Sequence, residues 1–382
     1  MRRCSPPVVA NSRFPPACQS VPPCRYFPRV QTTSPTARVD GDPPGLIATM
    51  ATPRLFLGID IGGSSVKLGV VSATGQVCAQ RAAQLVVDQG RDVGMESIFG
   101  EAERCLTDAG VGVGDLRGIG VAAPGTMDLA AGVILQPFNL PGWEDLPLKQ
   151  LTQQRLRTPT VLVNDANAAA FGEFWVGAGR EYRSLMLWTL GTGIGGGIVL
   201  DGEILVGAHG HAGECGHMVI QCDGGPRSEF GIHGSVELFA GARALVRRTQ
   251  EALEAGRESV LHRQHGEATL TPVAISAAAE QGDALAIELI LETARYLAVS
   301  TVNVMHIVNP EIILFGGAMT FGQACSQIGR LFLEEVRSQV RGMAFPVPAS
   351  STRIEFASLG NDAGFIGAAG CALRASQSGP LS

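Results

Sequence analysis

No stretch of this 382-residue chain is long, apolar and uninterrupted enough to span a membrane, which excludes a helical integral membrane protein and predicts a soluble one. A basic excess is also missing. With a net charge of −6 and a pI of about 5.7 there is no electrostatic case for nucleic acid as the main partner. The nine cysteines follow no repeating framework; three lie in the first 24 residues and the others mostly inside apolar segments. That pattern suits reduced thiols in a cytoplasm and excludes a disulfide-stapled secreted domain. Charged residues are few, 17% against 45% hydrophobic, so the chain has ample material for a filled core, and its length makes two domains with a cleft the default.

Residues 1–49 lack lysine and carry acids only at Asp40 and Asp42, while holding ten of the 22 prolines and six arginines. Such a segment can neither bury much apolar surface nor sustain a helix, and disorder is expected. The Arg-rich, acid-poor composition raises a transit peptide, but the prolines spoil an amphipathic helix and no apolar signal core is present. Met50-Ala51-Thr52 stands immediately before the first strand. An upstream-extended reading frame, with the functional chain starting near Met50, is therefore the preferred explanation.

What the chain does have is glycine in loops. In Ser184 to Val206, SLMLWTLGTGIGGGIVLDGEILV, an apolar run is interrupted by Gly191, Thr192, Gly193, Gly195, Gly196 and Gly197, resumes, and meets an Asp201-Gly202 turn. This reads as strand, glycine loop, strand, hairpin turn, strand. A loop so poor in side chains lets backbone N–H groups approach a phosphate, and Thr192 adds a hydroxyl. The glycines also fit the dinucleotide fingerprint, but that motif requires a helix opening in the loop. The exit GIVLDGEILV favours a hairpin instead, which excludes NAD. Leu55 to Cys78, LFLGIDIGGSSVKLGVVSATGQVC, repeats the layout with a Gly62-Gly63-Ser64 turn and a Thr74-Gly75 turn. Two such hairpins predict two half-molecules of similar build facing one nucleotide.

Between and beyond them, helical spacing covers Val93 to Ala109, with short strands predicted at Gly118 to Ala123 and Thr160 to Val163. The first strand leads into Pro124-Gly125, and Phe138 to Trp143 forms a compact loop. Thr160 to Val163 runs into Asn164-Asp165-Ala166-Asn167 and a helix over Ala168 to Phe174. Asp165 can be read there as a helix cap; its place at the C-terminal edge of a strand, beside two phosphate loops, is also where a nucleophile-activating carboxylate belongs. Helices are predicted over Ser235 to Glu254, Pro272 to Gln281, Ala284 to Ile307, Leu331 to Val340 and about Asp362 to Leu373, with strands at Glu311 to Phe315 and Arg353 to Phe356. The alternation, with two antiparallel hairpins, indicates an α/β protein with mixed sheets.

The ordered set Asp60-Ile61-Gly62-Gly63-Ser64 with Lys67, Ala123-Pro124-Gly125, Asn139-Leu140-Pro141-Gly142-Trp143, Asn164-Asp165-Ala166-Asn167, Leu190-Gly191-Thr192-Gly193, Glu214-Cys215-Gly216-His217, Gly316-Gly317 and Leu359-Gly360-Asn361-Asp362-Ala363-Gly364 resembles the ROK family of sugar kinases and repressors, over about Leu55 to Leu373. The resemblance implies the two-domain actin-like and hexokinase-like ATPase fold, with an active-site cleft. A small domain over 50–165, joined by a closing helix at about 362–375, would face a large domain over 166–361. It implies an ATP-dependent hexokinase, glucose first, with Asp165 as the general base accepting a sugar hydroxyl proton. Asp60 would hold Mg²⁺ through water. Gly62, Gly63, Ser64, Thr192 and Gly193 would cradle phosphates, with Lys67 either a phosphate contact or a solvated strand residue, and Gly316 and Gly317 would lie against adenosine. Asn139, Asn164, Glu214, His217 and Glu237 match the family's sugar contacts, and a cytoplasmic homodimer is implied. N-acetylglucosamine, N-acetylmannosamine and fructose are rival substrates.

Another class of rival is a ROK-type sugar-responsive regulator or a non-catalytic sensor. The first needs a helix-turn-helix that residues 1–49 are not expected to supply; the second is disfavoured by Asp60 and Asp165 together. One departure from the family stands out. Where its members carry the three thiolates of a structural zinc site, this chain has Ser228, Phe230 and Ser235, although the following Glu237 remains. Hydroxyls and a phenyl ring do not replace thiolates around tetrahedral zinc, so no zinc is expected there, and Phe230 and Ile232 packing is expected to order the loop. His209, His211, Cys215, His217, Cys222 and His233 leave a relocated metal site as an alternative.

Overall fold

The computed structural model describes residues 54–85, 89–137, 140–228, 231–262 and 270–377. The expectations for residues 1–49, Asn139 and Phe230 lie outside them. The architecture is built on two five-stranded sheets of matching order. In the first, β1 (Leu55–Ile61) pairs antiparallel with β2 (Ser65–Ser72), and β2 with the edge strand β3 (Val77–Gln84). On its other side β1 runs parallel to β4 (Leu116–Ala123), and β4 parallel to β7 (Thr160–Asn164). The second sheet repeats this plan. Here β8 (Ser184–Leu190) pairs antiparallel with β9 (Ile194–Leu200), which continues to β10 (Glu203–Ile204). β8 is also parallel to β11 (Ile312–Gly316), and β11 to β12 (Arg353–Phe356). The two sheets thus share one plan, in a mixed α/β fold of the actin-like ATPase type.

Burial follows position. β11, IILFG, is buried at every residue, whereas edge strand β3 alternates half-buried and exposed residues along its length. Each sheet has its own apolar core. Beneath the first, α1 (Arg91–Asp108) contributes Met95, Ile98, Phe99 and Leu106. A small hairpin, β5 (Thr126–Asp128) with β6 (Val133–Gln136), and α2 (Leu148–Leu156) complete this half; neither was expected. The second core gathers α4 (Val236–Ala240), α5 (Ala242–Glu254), α6 (Pro272–Glu280), α7 (Ala284–Val308) and α8 (Gln327–Met343), followed by the short α9 (Pro346–Ser351).

The single helix expected over Ser235 to Glu254 is in fact two. It breaks at Gly241, which leaves the Ala242 N–H free to donate to the Gly191 carbonyl at 3.2 Å, so the interruption ties α5 to the second glycine loop.

Two helices cross between the halves. α3 (Asp165–Trp175) leaves the last strand of the first sheet and packs on β8 and β9. α10 (Ala363–Gln377) leaves the last strand of the second sheet and packs on β1 and β4. The two crossing helices also pack on each other. Glycine permits the close approach: a Cβ on Gly120 would sit 1.8 Å from the Ala368 carbonyl oxygen, and one on Gly367 1.7 Å from that of Ala168.

Candidate active site

The register of the first sheet brings the candidate carboxylates to one edge. Asp60, near the end of β1, lies opposite Ala122, and Ala122 opposite Val163, one residue before Asn164. These are the C-terminal ends of parallel strands, where an open α/β sheet gathers ligand groups. Asn164, not Asp165, caps α3: its Oδ1 accepts from the N–H groups of Ala166 at 3.0 Å and Asn167 at 3.2 Å. Capping is thereby supplied by the neighbour, and Asp165 takes the first helical position. Its Oδ1 accepts the Ala166 N–H at 2.8 Å. Burial, helped by the charges of Asp60 and Glu214, pushes the Asp165 carboxyl up to about 7. Three acidic groups from different segments therefore act on one space.

Asp60 is likewise raised by burial, to about 6, with Lys67 opposing the shift from the facing position on β2. A Cβ on Gly364 would lie 2.3 Å from Asp60 Oδ2, so the missing side chain at the start of α10 makes room for the carboxylate and brings it near the positive end of a helix. Lys67 Nζ donates to the Asn361 carbonyl at 3.2 Å, just ahead of the same helix. In the first glycine turn the Gly62 N–H donates to Ser65 O at 2.8 Å, while Ser64 is exposed and its carbonyl accepts from Leu85.

The second loop is braced differently. Gly191 N–H closes onto Gly193 O at 2.9 Å, and Glu237 Oε2 accepts the Ile194 N–H at 2.9 Å. A Cβ on Gly193 would stand 2.3 Å from that same oxygen. Glu237, expected at the sugar, thus has one oxygen engaged by the loop. Thr192 remains exposed between the two glycines. Gly317, with φ of +92°, abuts Leu190 so closely that a Cβ would meet its carbonyl at 2.3 Å, which sets Gly316 and Gly317 beside this loop. Glu214 and His217 flank a short turn over Cys215–His217, with Glu214 Oε2 3.8 Å from His217 Nε2. The other ring nitrogen, Nδ1, is buried and has no hydrogen-bond partner among the described residues.

The clustered histidines and cysteines do not converge. Arg227 Nε donates to His233 Nε2 at 2.7 Å, and His211 Nδ1 is engaged with the His209 carbonyl. Burial, then Glu214, pushes the Cys215 thiol up to about 12, far from a thiolate. Among the described residues no group of three His, Cys, Asp or Glu is placed to hold a metal ion. Asp60 still fits Mg²⁺, which is commonly held by one or two carboxylates plus substrate phosphates. Ile232 is half-buried, and its N–H and carbonyl are paired with the Ser228 hydroxyl and N–H.

Trp143, in the expected loop of amide and indole, is fully buried against Gly94. Sequence reasoning gave no role to Gly364, Asn361 or Glu173. Gly364 and Asn361 stood inside a recognised signature, and Glu173 was legible only as a second acid, eight residues after Asp165, in an Ala-rich helix.

The sequence matches the ROK family profile over residues 56–375. The chain belongs to the ROK family. Glucokinase of Halalkalibacterium halodurans is 34% identical over 317 residues, 82% of this chain and 93% of that protein. The xylose repressor of Caldicellulosiruptor bescii is 29% identical over 312 residues, 82% of this chain and 76% of the repressor. A ROK family glucokinase from Streptomyces griseus, solved in complex with glucose and AMPPNP, superposes with a TM-score of 0.70 at 30% identity, covering 84% of this chain and 99% of that one. Among the described residues no helix is long and apolar enough to cross a membrane.

Proposed function

We propose that this ROK protein is an ATP-dependent hexokinase that phosphorylates the 6-hydroxyl of a hexose, with glucose the preferred substrate. The observation that carries the reading is Asp165: a partly buried carboxylate at a strand-to-helix junction, one oxygen fixed by Ala166, raised to about 7 in the company of Asp60 and Glu214. A base with that affinity for protons matches neutral pH. As the sugar oxygen bonds to the γ-phosphorus and the bond to ADP breaks, the hydroxyl proton passes to Asp165 Oδ2.

Asp60 is the residue to hold Mg²⁺, through water, which would neutralise charge on the phosphates. Gly62, Gly63, Ser64, Thr192 and Gly193 offer backbone and hydroxyl donors to the phosphates, Lys67 supplies nearby positive charge, and Gly316 and Gly317 leave space for the adenosine. Asn164, Glu214 and His217, with Asn139 and the second oxygen of Glu237, are proposed for the sugar hydroxyls; the unpartnered Nδ1 of His217 supports that assignment. The chain is further proposed to act in the cytoplasm as a homodimer.

A coupled assay of ADP release over glucose, N-acetylglucosamine, N-acetylmannosamine and fructose tests this. The expected result is the highest kcat/KM with glucose. The likeness to a xylose repressor favours a second reading, sugar-responsive regulation. Sugar binding by calorimetry with no ADP release for any sugar would select that reading and end the first.

A further inference from the structure

Glu173, near the C-terminal end of α3, is fully buried at 0% exposure. Its carboxylate is nonetheless one of the most heavily bonded groups in the chain. Oε1 accepts the N–H of Ser358 at 2.9 Å and of Leu359 at 2.7 Å, while Oε2 accepts the Ala178 N–H at 2.9 Å and pairs with the Ser358 hydroxyl at 3.0 Å. Gly177 keeps the space open, since a Cβ there would stand 2.1 Å from Oε2. Core packing alone does not require a carboxylate at such a place.

The elements it joins give it a purpose. Asp165 begins α3 and Glu173 lies two turns further on, so the base and the clamp ride on one rigid rod, roughly 12 Å apart at 1.5 Å per residue. Ser358 and Leu359 open the connection from β12 to α10. The next residues along are Asn361, whose carbonyl takes the Lys67 ammonium, and Gly364, against which the Asp60 carboxylate lies. Asp165 and the seat of Asp60 are thus carried by separate crossing segments, and Glu173 fastens those segments directly through hydrogen bonds.

We infer that Glu173 is a positioning residue that sets Asp165 in register with Asp60 by pinning the Ser358–Leu359 segment to α3. The inference rests on the kinase reading above. Loss of the clamp lets the Asn361–Gly364 seat of the Asp60 carboxylate shift while both acids keep their places in the first sheet, so it acts on the metal-dependent step rather than on the sugar pocket. A carboxamide in place of the carboxylate turns one acceptor into a donor facing the Ala178 N–H and the Ser358 hydroxyl.

The test compares Glu173→Gln and the milder Ser358→Ala with the unaltered protein. The readouts are kcat, the Mg²⁺ concentration for half-maximal rate at fixed ATP, glucose affinity by calorimetry without nucleotide, and the thermal unfolding midpoint. Expected for Glu173→Gln is a tenfold or greater fall in kcat and a severalfold rise in the Mg²⁺ requirement, with glucose affinity within twofold. Ser358→Ala should move kcat and Mg²⁺ requirement the same way by a smaller factor. A folded Glu173→Gln protein with unchanged kcat and Mg²⁺ dependence overturns the inference, as does a loss shared equally by glucose affinity. Where Glu173→Gln does not fold, Ser358→Ala decides: a shifted Mg²⁺ requirement supports the clamp and an unchanged one removes it. Absence of kinase activity in the unaltered protein would instead remove the underlying reading.

Discussion

The two halves share a strand order yet divide the chemistry unevenly. β1 ends Asp60-Ile61 before Gly62, and β8 ends Thr189-Leu190 before Gly191, so an acid in the first half stands where a hydroxyl stands in the second. At the last strand, β7 passes directly into α3 with Asp165 at its first position, whereas β12 is separated from α10 by the segment that Glu173 clamps. The first half therefore holds both candidate reacting carboxylates. Its counterpart supplies glycine backbone braced by Glu237, together with the Glu214 and His217 turn. One scaffold, used twice, thus places the two buried acids Asp60 and Asp165 in the first half and the Glu237-braced glycine loop in the second.

The largest effect that would break this division is at Asp165. Asp165→Asn keeps the size and the Ala166 contact but removes the proton acceptor, and turnover should fall by about a thousandfold while sugar binding by calorimetry persists. Normal turnover would mean that the first half does not carry the base. A step down in size, Asp60→Asn should cost about a hundredfold in kcat and raise the Mg²⁺ requirement, measured by titrating the metal at fixed ATP. Thr189→Val, at the matching place in the second half, should change kcat by no more than about threefold. Equal losses at the two positions would show that the asymmetry has no chemical meaning.

Glycine substitutions sharpen the contrast further. Gly364→Ala drives a methyl toward the Asp60 carboxylate and Gly193→Ala drives one toward Glu237, each at 2.3 Å in the present backbone. Misplacement of a reacting group by an ångström can cost up to about a hundredfold, so Gly364→Ala should lower kcat about tenfold through the metal step. Gly193→Ala should chiefly raise the KM for ATP, because it disturbs the brace under the second loop. A rise in ATP KM for both, with kcat intact, would place both glycines in simple nucleotide contact.

Much of this could be read in the chain because it is written in local signals. The glycine interruptions and Asp201-Gly202 marked the hairpins, and the strand-to-helix junction at Asn164-Asp165 marked the edge where ligands gather. The break at Gly241 was hidden because its cause, the Ala242 bond to Gly191, joins residues far apart in sequence. Asn164 and Asp165 both carry side chains able to cap a helix, and only the hydrogen-bond geometry separates cap from candidate base. Glu237 matched a motif, but its bond to Ile194 depends on how α4 meets the second loop. Glu173 was opaque for the same reason: Ser358 and Leu359 lie far along the chain, and an acid near the end of an Ala-rich helix carries no sign of which donors it will meet.

The smallest effect concerns stability, and it follows from the price of keeping a base buried. In the unfolded chain Asp165 titrates at its ordinary value of 3.8, and in the fold at about 7. Below pH 4 the carboxyl is protonated in both states and favours neither. As pH rises from about 4 through about 7 the unfolded chain gives up its proton first, and the folded protein loses stability relative to it. Asp165→Asn removes that loss. Melting temperatures of variant and unaltered protein should therefore agree near pH 4 and separate by a few degrees at pH 8, with the variant higher, as scanning calorimetry would detect. Over the same interval kcat/KM of the unaltered enzyme should rise with pH as the base deprotonates. A variant less stable at pH 8 would show that Asp165 is a structural acid, and the division between the halves would then have to be drawn without it.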